Sequence, residues 1–157
     1  MALSLEHFKL LNPKANQFSP GTGGTPDITW QEVCDLLATL MPLCRAYARY
    51  QYAQDKRFAW VLVESITREM AADDLKKKRS LWPDQLMWLR FAEMAVFVYS
   101  KGLHLTRKQK AEELGIRFWT RKHEESLRLL TSALDELDYD LRVAVRKWNR
   151  QQEPAYG

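Results

Sequence analysis

The chain has 157 residues, and its 24 Lys and Arg against 20 Asp and Glu give a net charge of +4. Hydrophobic residues make up 46% and charged residues 28%, a composition typical of a folded domain that excludes a disordered or collagen-like chain. Two cysteines, Cys34 and Cys44, allow at most one disulfide, which disfavours a disulfide scaffold; both lie in apolar runs, which favours two reduced thiols in a cytoplasmic protein.

The first 27 residues are predicted to form an N-terminal arm or linker. A short apolar pattern over residues 1–11 is followed at 12–27 by Pro, Gly, Thr and Asn, which are typical of loops. We expect this arm to be flexible, or ordered only on a partner. Residues 28–157 are predicted to form a single all-α domain with a compact helical body, since six Gly and six Pro supply too few turns for an all-β fold.

Local signals then predict helices in chain order. Thr29 and Glu32 form a capping box at the start of the first helix. Pro42 predicts a kink or a new helix start, because proline inside a helix removes a hydrogen bond and clashes with the preceding turn. A further helix follows Pro83 and ends at Gly102. Its expected buried residues are Leu86, Leu89, Phe91, Met94, Phe97 and Val98.

The last part of the chain predicts a short helix and a long one. A capping box at Thr106 and Gln109 begins the short helix, which ends at Gly115. A single helix from about residue 118 to 150 then carries a heptad seam over residues 127–148. The seam residues are Leu127, Leu130, Leu134, Leu137, Leu141, Ala144 and Trp148. The seam packs either on a second copy of the chain or on the chain's own helices.

The stretch from about 106 to 130 has the spacing of a helix-turn-helix. Ala111 is the small residue at which two helices cross closely, Gly115 is the turn glycine, and Ile116 is the apolar residue that follows it. Between residues 107 and 123 there are six Lys and Arg against two Glu. Such a basic face supplies the donors that contact phosphates and guanine edges.

This stretch, LTRKQKAEELGIRFWTRKHEESLRLL, resembles the helix-turn-helix of sigma-factor region 4. It also resembles small phage Q-type late-gene antitermination proteins, which have a helical body, a basic helix-turn-helix and a surface that docks on RNA polymerase. The resemblance covers about 25–30 residues and implies a DNA-binding transcription regulator. One position departs from the pattern, since Arg121 stands where the motif has Val or Ile. Either the turn is longer, with Trp119 as the core residue, or the match is accidental.

The predicted DNA-binding residues follow from this resemblance and from the basic face. Arg117 and Arg121 are expected to contact bases from a helix spanning 117–128, and most of the others to neutralise phosphates. The full set is Arg107, Lys108, Lys110, Arg117, Thr120, Arg121, Lys122 and Arg128.

Two further basic patterns have alternative interpretations. The run Lys76–Arg79 is either a phosphate-contacting loop or a solvated helix end. The aromatic residues between 47 and 60, interleaved with Arg and Lys, either stack on single-stranded bases or form a half-buried core.

Nothing in the sequence predicts catalysis. His7, His104 and His123 lack metal-ligand or triad spacing, and no phosphate-binding loop is present, so we expect no enzyme activity, metal or cofactor. No membrane span is expected. The leading hypothesis is a cytoplasmic transcription regulator whose partners are double-stranded DNA, RNA polymerase and a second copy through the 127–148 seam. The alternative is a helical protein–protein interaction module without catalytic activity, such as an inhibitor, an assembly adaptor or a small phage packaging subunit.

Overall fold

The computed structural model describes residues 2–12, 28–77 and 81–153 of the chain. The described residues form helices and loops with no strand, which confirms the predicted all-α class. The α-helices are α1 (Trp30–Ala38), α2 (Pro42–Gln51), α3 (Ala59–Lys76), α4 (Gln85–Lys101), α5 (Arg107–Leu114) and α6 (Arg121–Gln152). Two 3-10 helices span Leu5–Leu11 and Lys56–Phe58. No helix within the described ranges combines the length and the apolar character needed to cross a bilayer.

The helix boundaries follow local sequence signals. Thr29 caps α1, and its side chain accepts a hydrogen bond from the Glu32 amide while the Glu32 carboxylate accepts from the Thr29 amide. Pro42 is the first residue of α2, where its missing N–H is not needed, so the chain starts a new helix there. Gly102 ends α4 with φ of +64°, a left-handed conformation that favours glycine.

The fold divides into two compact units. The first comprises Met1–Ala59 and Leu137–Gly157, and the second comprises Trp60–Glu136. Helix α6, which is 32 residues long, confirms the predicted long C-terminal helix and contributes to both units.

The first unit includes the beginning of the predicted N-terminal arm. Leu3, Phe8 and Leu11 are buried in its core. The Leu3 amide donates to Asn149 Oδ1 at 2.8 Å, and Asn149 Nδ2 donates back to the Leu3 carbonyl at 2.9 Å. Residues 2–12 are therefore part of the packed unit, and the loop predicted over residues 13–27 lies outside the described residues.

A half-buried carboxylate accepts several side-chain hydrogen bonds in the first unit. Asp138 on α6 accepts hydrogen bonds from Tyr47 Oη at 2.8 Å, from Tyr52 Oη, and from Arg142 Nε at 2.7 Å. Burial alone would raise the pKa of Asp138, but the hydrogen bonds from Arg142, Tyr52 and Tyr47 outweigh it and lower the pKa. Tyr47 is fully buried, so this part of the predicted aromatic pattern forms core.

Both cysteines are free thiols in this unit. Cys34 is half-buried and Cys44 is buried. Burial raises the pKa of the Cys44 thiol to about 11, and the nearby Asp140 and Asp138 carboxylates add to the shift. Cys44 is therefore protonated at neutral pH and acts as a small apolar core residue.

The second unit packs α3, α4 and α5 with the first half of α6. Its core includes Leu62, Ile66, Trp88, Phe91, Leu130 and Leu134. The prediction for α4 was wrong at two positions, because Leu86 is 57% exposed and Phe97 is 52% exposed. Apolar residues occur on several sides of α4. Its buried residues are Trp88, Phe91, Ala92, Met94, Ala95 and Val96, which include the predicted Phe91 and Met94. Periodicity alone did not distinguish these faces.

Four of the seven seam residues are buried within the chain itself, whereas Leu137, Ala144 and Trp148 are half-buried. Leu127, Leu130, Leu134 and Leu141 have between 0% and 8% of their surface exposed. Of the two interpretations of the seam, this burial supports packing on the chain's own helices. These leucines are not available to a second copy while the fold is intact, so the predicted homo-oligomer through residues 127–148 has no support here.

Candidate nucleic-acid interface

The segment predicted to be a helix-turn-helix is built from α5, a connecting turn and α6. Thr106 caps α5 by a reciprocal hydrogen-bond pair with Gln109, as predicted. Gly115 ends α5 with φ of +65°, and the Ile116 amide donates to the Ala111 carbonyl at 2.8 Å, which closes the helix end.

The connection between the two helices is longer than predicted. Helix α6 begins at Arg121, so the expected second helix over 117–128 was wrong in its start. Residues 115–120 form the turn, which exceeds the roughly three- or four-residue turn of a standard helix-turn-helix. Arg117 and Thr120 therefore lie in the turn and not on the second helix.

Aromatic rings hold this long turn in place. The Trp119 ring stacks on the His123 ring at a centroid distance of 5.2 Å and packs edge-on against Phe91 at 6.3 Å. Trp82 stacks on Phe91 at 5.5 Å and contacts His123 at 5.4 Å. Trp119 thus supplies the core contact that the motif usually places two residues later, which agrees with the longer-turn interpretation.

His123 also caps the long helix. Its Nδ1 accepts a hydrogen bond from the Thr120 amide at 3.0 Å, in the position where a capping box usually has Glu or Gln. Burial, and then the neighbouring Lys122 charge, lowers the pKa of His123, so the imidazole is neutral at pH 7 and Nδ1 is able to accept. Ser4 and His7 repeat this arrangement at the Leu5–Leu11 helix, with an amide-to-Nδ1 distance of 2.9 Å.

Glu124 ties the start of α5 to the first turn of α6. Its Oε2 accepts from Trp119 Nε1 at 2.7 Å, while its Oε1 lies 3.5 Å from Lys110 Nζ. Arg107 Nε lies 3.9 Å from Oε2. The Trp119 hydrogen bond lowers the pKa of Glu124 against the opposing effect of burial, and Lys110 and Arg107 lower it further. The carboxylate is therefore charged at neutral pH and partly neutralises two of the predicted DNA-binding residues.

The other predicted residues differ in how their charges are used. Arg128 is paired with Glu125, with Nε to Oε2 at 3.0 Å. Lys122 Nζ lies 4.3 Å from the Trp82 ring centroid, a cation–π contact that leaves the side chain exposed. Within the described part of the chain, Lys108, Arg117 and Arg121 have no carboxylate partner, and all three are exposed.

The structure therefore separates the eight predicted residues into distinct groups. Three are paired with glutamates, Thr120 is the last residue of the turn, directly before α6, and four remain as exposed cations around the turn. The sequence interpretation did not identify Trp82 or Phe91 as the support of this turn, or His123 as a cap. The spacing Thr120-x-x-His123, seen again at Ser4-x-x-His7, was the signal for the cap.

The run Lys76–Arg79 and the possibility of a metal site add little to the description of this interface. In the run Lys76–Arg79, Lys77 forms an ion pair with Asp73 at 3.5 Å, whereas Lys78 and Arg79 lie outside the described residues. Among the described residues, no group of His, Cys, Asp and Glu is arranged to hold a metal ion.

Comparison with models of known protein families, with curated proteins and with solved structures gives no significant match.

Proposed function

We propose that the chain is a DNA-binding transcription regulator that contacts duplex DNA through the turn between α5 and α6. The observation that carries the proposal is the group of exposed cations around this turn. Lys108, Arg117 and Arg121 lack a carboxylate partner within the described residues, and the Lys122 ammonium lies over the face of Trp82. Unpaired cations next to a rigid turn are suited to phosphate oxygens, because no internal ion pair has to break on binding.

The proposed interface is smaller than the sequence alone predicts. Glu124 already neutralises much of the charge of Lys110, whose side chain is 21% exposed, and Glu125 pairs with Arg128. Three or four phosphate contacts then remain, which corresponds to a slope of log Kd against log salt of about 3–4. Arg117 and Arg121 are the residues that we expect to reach furthest into a groove.

The regulatory part of the proposal rests on the resemblance to sigma-factor region 4 and to Q-type antiterminators. On that basis RNA polymerase is proposed as the second partner. A regulator of the antiterminator type has a DNA contact and a surface that docks on polymerase, and the DNA contact is the one that the exposed cations support.

The test is a salt series of duplex binding by fluorescence anisotropy. Arg117→Glu/Arg121→Glu is expected to abolish a salt-steep affinity, because it replaces two contacts by repulsion from phosphate. Arg146→Glu/Arg150→Glu is the matched control, since it makes the same charge change at exposed positions near the other end of α6. Equal losses in both variants would show a diffuse electrostatic attraction and would refute a site at the turn. No binding by the unaltered chain would refute the DNA-binding proposal.

A groove beside α5 favours the interaction-module function as the second candidate. The groove has a volume of about 740 Å³, and its floor contains Met94, Phe97, Val98, Leu103, Leu105 and Leu114. The charged residues at its rim are three glutamates, Glu93, Glu112 and Glu113, against one arginine, Arg90, although the chain as a whole is basic. This chemistry suits an amphipathic helix of another protein that has an apolar face flanked by Lys and Arg.

The groove is tested with a synthetic amphipathic Leu/Lys helix. We expect it to bind the unaltered chain and to lose affinity in Glu112→Lys/Glu113→Lys, because the rim then repels the peptide. Glu64→Lys/Glu69→Lys on α3 is the control with the same charge change. A peptide that binds both variants equally would exclude the groove as its site.

A further inference from the structure

Phe118 is the most exposed aromatic side chain in the described part of the protein, with 75% of its surface in contact with solvent. It lies in the turn between α5 and α6, directly after Arg117 and three residues before Arg121. A single exposed apolar residue is ordinary on a protein surface. The position of Phe118 among unpaired cations is what distinguishes it from the other exposed aromatic residues.

The turn gives Phe118 a defined position. Its neighbour Trp119 is held by the ring stack on His123 and by the hydrogen bond from Nε1 to Glu124 at 2.7 Å. On the other side, Gly115 and Ile116 are held by backbone hydrogen bonds to the last turn of α5. The backbone on both sides of Phe118 is therefore constrained, and its ring is exposed to solvent.

The charges next to the ring match a nucleotide. The Arg117 guanidinium carbon lies 5.9 Å from the Phe118 ring centroid, and Arg121 is exposed at the start of α6. A flat aromatic face flanked by cations that bind phosphate is the combination by which proteins hold an unstacked base. Apolar side chains that insert between two stacked base pairs also unstack those base pairs.

We propose that Phe118 forms a stacking site for an unpaired or unstacked DNA base, with Arg117 and Arg121 contacting the adjacent phosphates. The inference rests on the proposed function and deepens it, because it names the preferred substrate as DNA that contains an opened base. A perfect duplex binds through the cations alone. DNA with an open base gains the stacking contact in addition.

The experiment compares two DNAs of about 20 base pairs that share the same labelled strand. In one the complementary strand is fully paired, and in the other a few mismatched central bases of that strand open a short bubble. The unaltered chain is expected to bind the bubble at least about fivefold more tightly, the lower end of the range for one base stacked on an aromatic ring. Phe118→Ala is expected to bind both DNAs equally, and Phe118→Trp to retain the preference. Tyr139→Ala is the matched control, because it removes another exposed aromatic side chain, which lies on α6 outside the turn.

A fluorescent base analogue in the bubble provides a direct readout of stacking. Its emission is expected to be quenched by the unaltered chain and by Phe118→Trp, and to remain unchanged with Phe118→Ala. Equal, salt-steep binding of both DNAs by the unaltered chain would overturn the stacking site and leave the proposed function intact. A preference for the bubble that survives in Phe118→Ala, or disappears in Tyr139→Ala, would also overturn it. If the unaltered chain binds neither the paired DNA nor the bubble DNA, the proposed function itself is refuted.

Discussion

Glu124 is predicted to weaken DNA binding in the native chain, and Glu124→Gln is expected to strengthen it. The carboxylate lies 3.5 Å from Lys110 and 3.9 Å from Arg107, so its removal releases cations for phosphate. Glutamine keeps a side-chain oxygen that accepts the Trp119 hydrogen bond, so the turn is retained. The effect on folding is expected to be small, because solvent-exposed ion pairs contribute about 0–1 kcal/mol.

The magnitude follows from the number of contacts released. Lys110 is the cation that Glu124 holds most closely, and one additional phosphate contact steepens the salt dependence of log Kd by about 0.9. Between about 50 and 200 mM salt, the affinity of Glu124→Gln should therefore fall about threefold more than that of the unaltered chain. Fluorescence anisotropy with a labelled duplex measures both slopes.

Glu113→Gln is the control, because it removes an exposed carboxylate of α5 that has no ion pair within the described residues. It lowers the overall negative charge by the same amount without releasing Lys110. If both variants steepen the salt dependence equally, the general field of the protein explains the change. If Glu124→Gln leaves the slope unchanged, Lys110 does not contact phosphate, and the proposed role of Glu124 is refuted.

Three further predictions concern stability. Asp138→Ala is expected to lower the free energy of unfolding by about 1–3 kcal/mol in urea titrations, because it removes the acceptor of two tyrosine hydroxyls, with exposed Asp140→Ala as the control. The pKa of Asp138 is lowered in the folded state, so its contribution to the free energy of unfolding is complete above the ordinary pKa of about 3.9 and is lost as the pH falls below that value. If the difference in stability between the unaltered chain and Asp138→Ala does not shrink in acid, this account is contradicted. Gly115→Ala is expected to lower the free energy of unfolding by about 1–2 kcal/mol in thermal melts. The cause is the φ of +65° alone, since the added Cβ lies 3.9 Å from its nearest neighbour, and Gly115→Asn should lower the stability less. Leu134→Ala is expected to lower the free energy of unfolding by about 2–5 kcal/mol, and its unfolding midpoint should not depend on protein concentration. A midpoint that rises with protein concentration would instead place the seam between two copies of the chain.

The fold could be predicted from the sequence to the extent that its signals are local. Thr29, Thr106, Gly102 and Gly115 act on backbone groups within a few residues, so their spacing was sufficient to place helix ends. The buried face of α4 could not be predicted in the same way. Leu86 and Phe97 are as apolar as the residues that are buried, and only the neighbouring helices determine which side faces the core.

The candidate site likewise has features that the sequence predicted and features that depend on contacts between distant residues. The basic residues between 107 and 128 were evident from composition, and the departure of Arg121 from the motif correctly indicated a longer turn as one interpretation. The pairing of Lys110 with Glu124 was not evident, because the two residues lie on different helices. A sequence count of charges treats all of them as available, whereas ion pairs across a fold remove some of them.

By itself, the sequence determined an all-α chain, the positions of its helix caps and a basic segment around a turn glycine. These properties depend on backbone geometry and hydrogen bonds between residues near one another in the chain. Only the tertiary structure decided that the leucine seam is buried, that Trp119 and His123 hold the turn against Phe91, and that Phe118 is left exposed. Burial and ion pairing are relations between distant segments, so they are settled by packing, which a pattern along one helix does not specify.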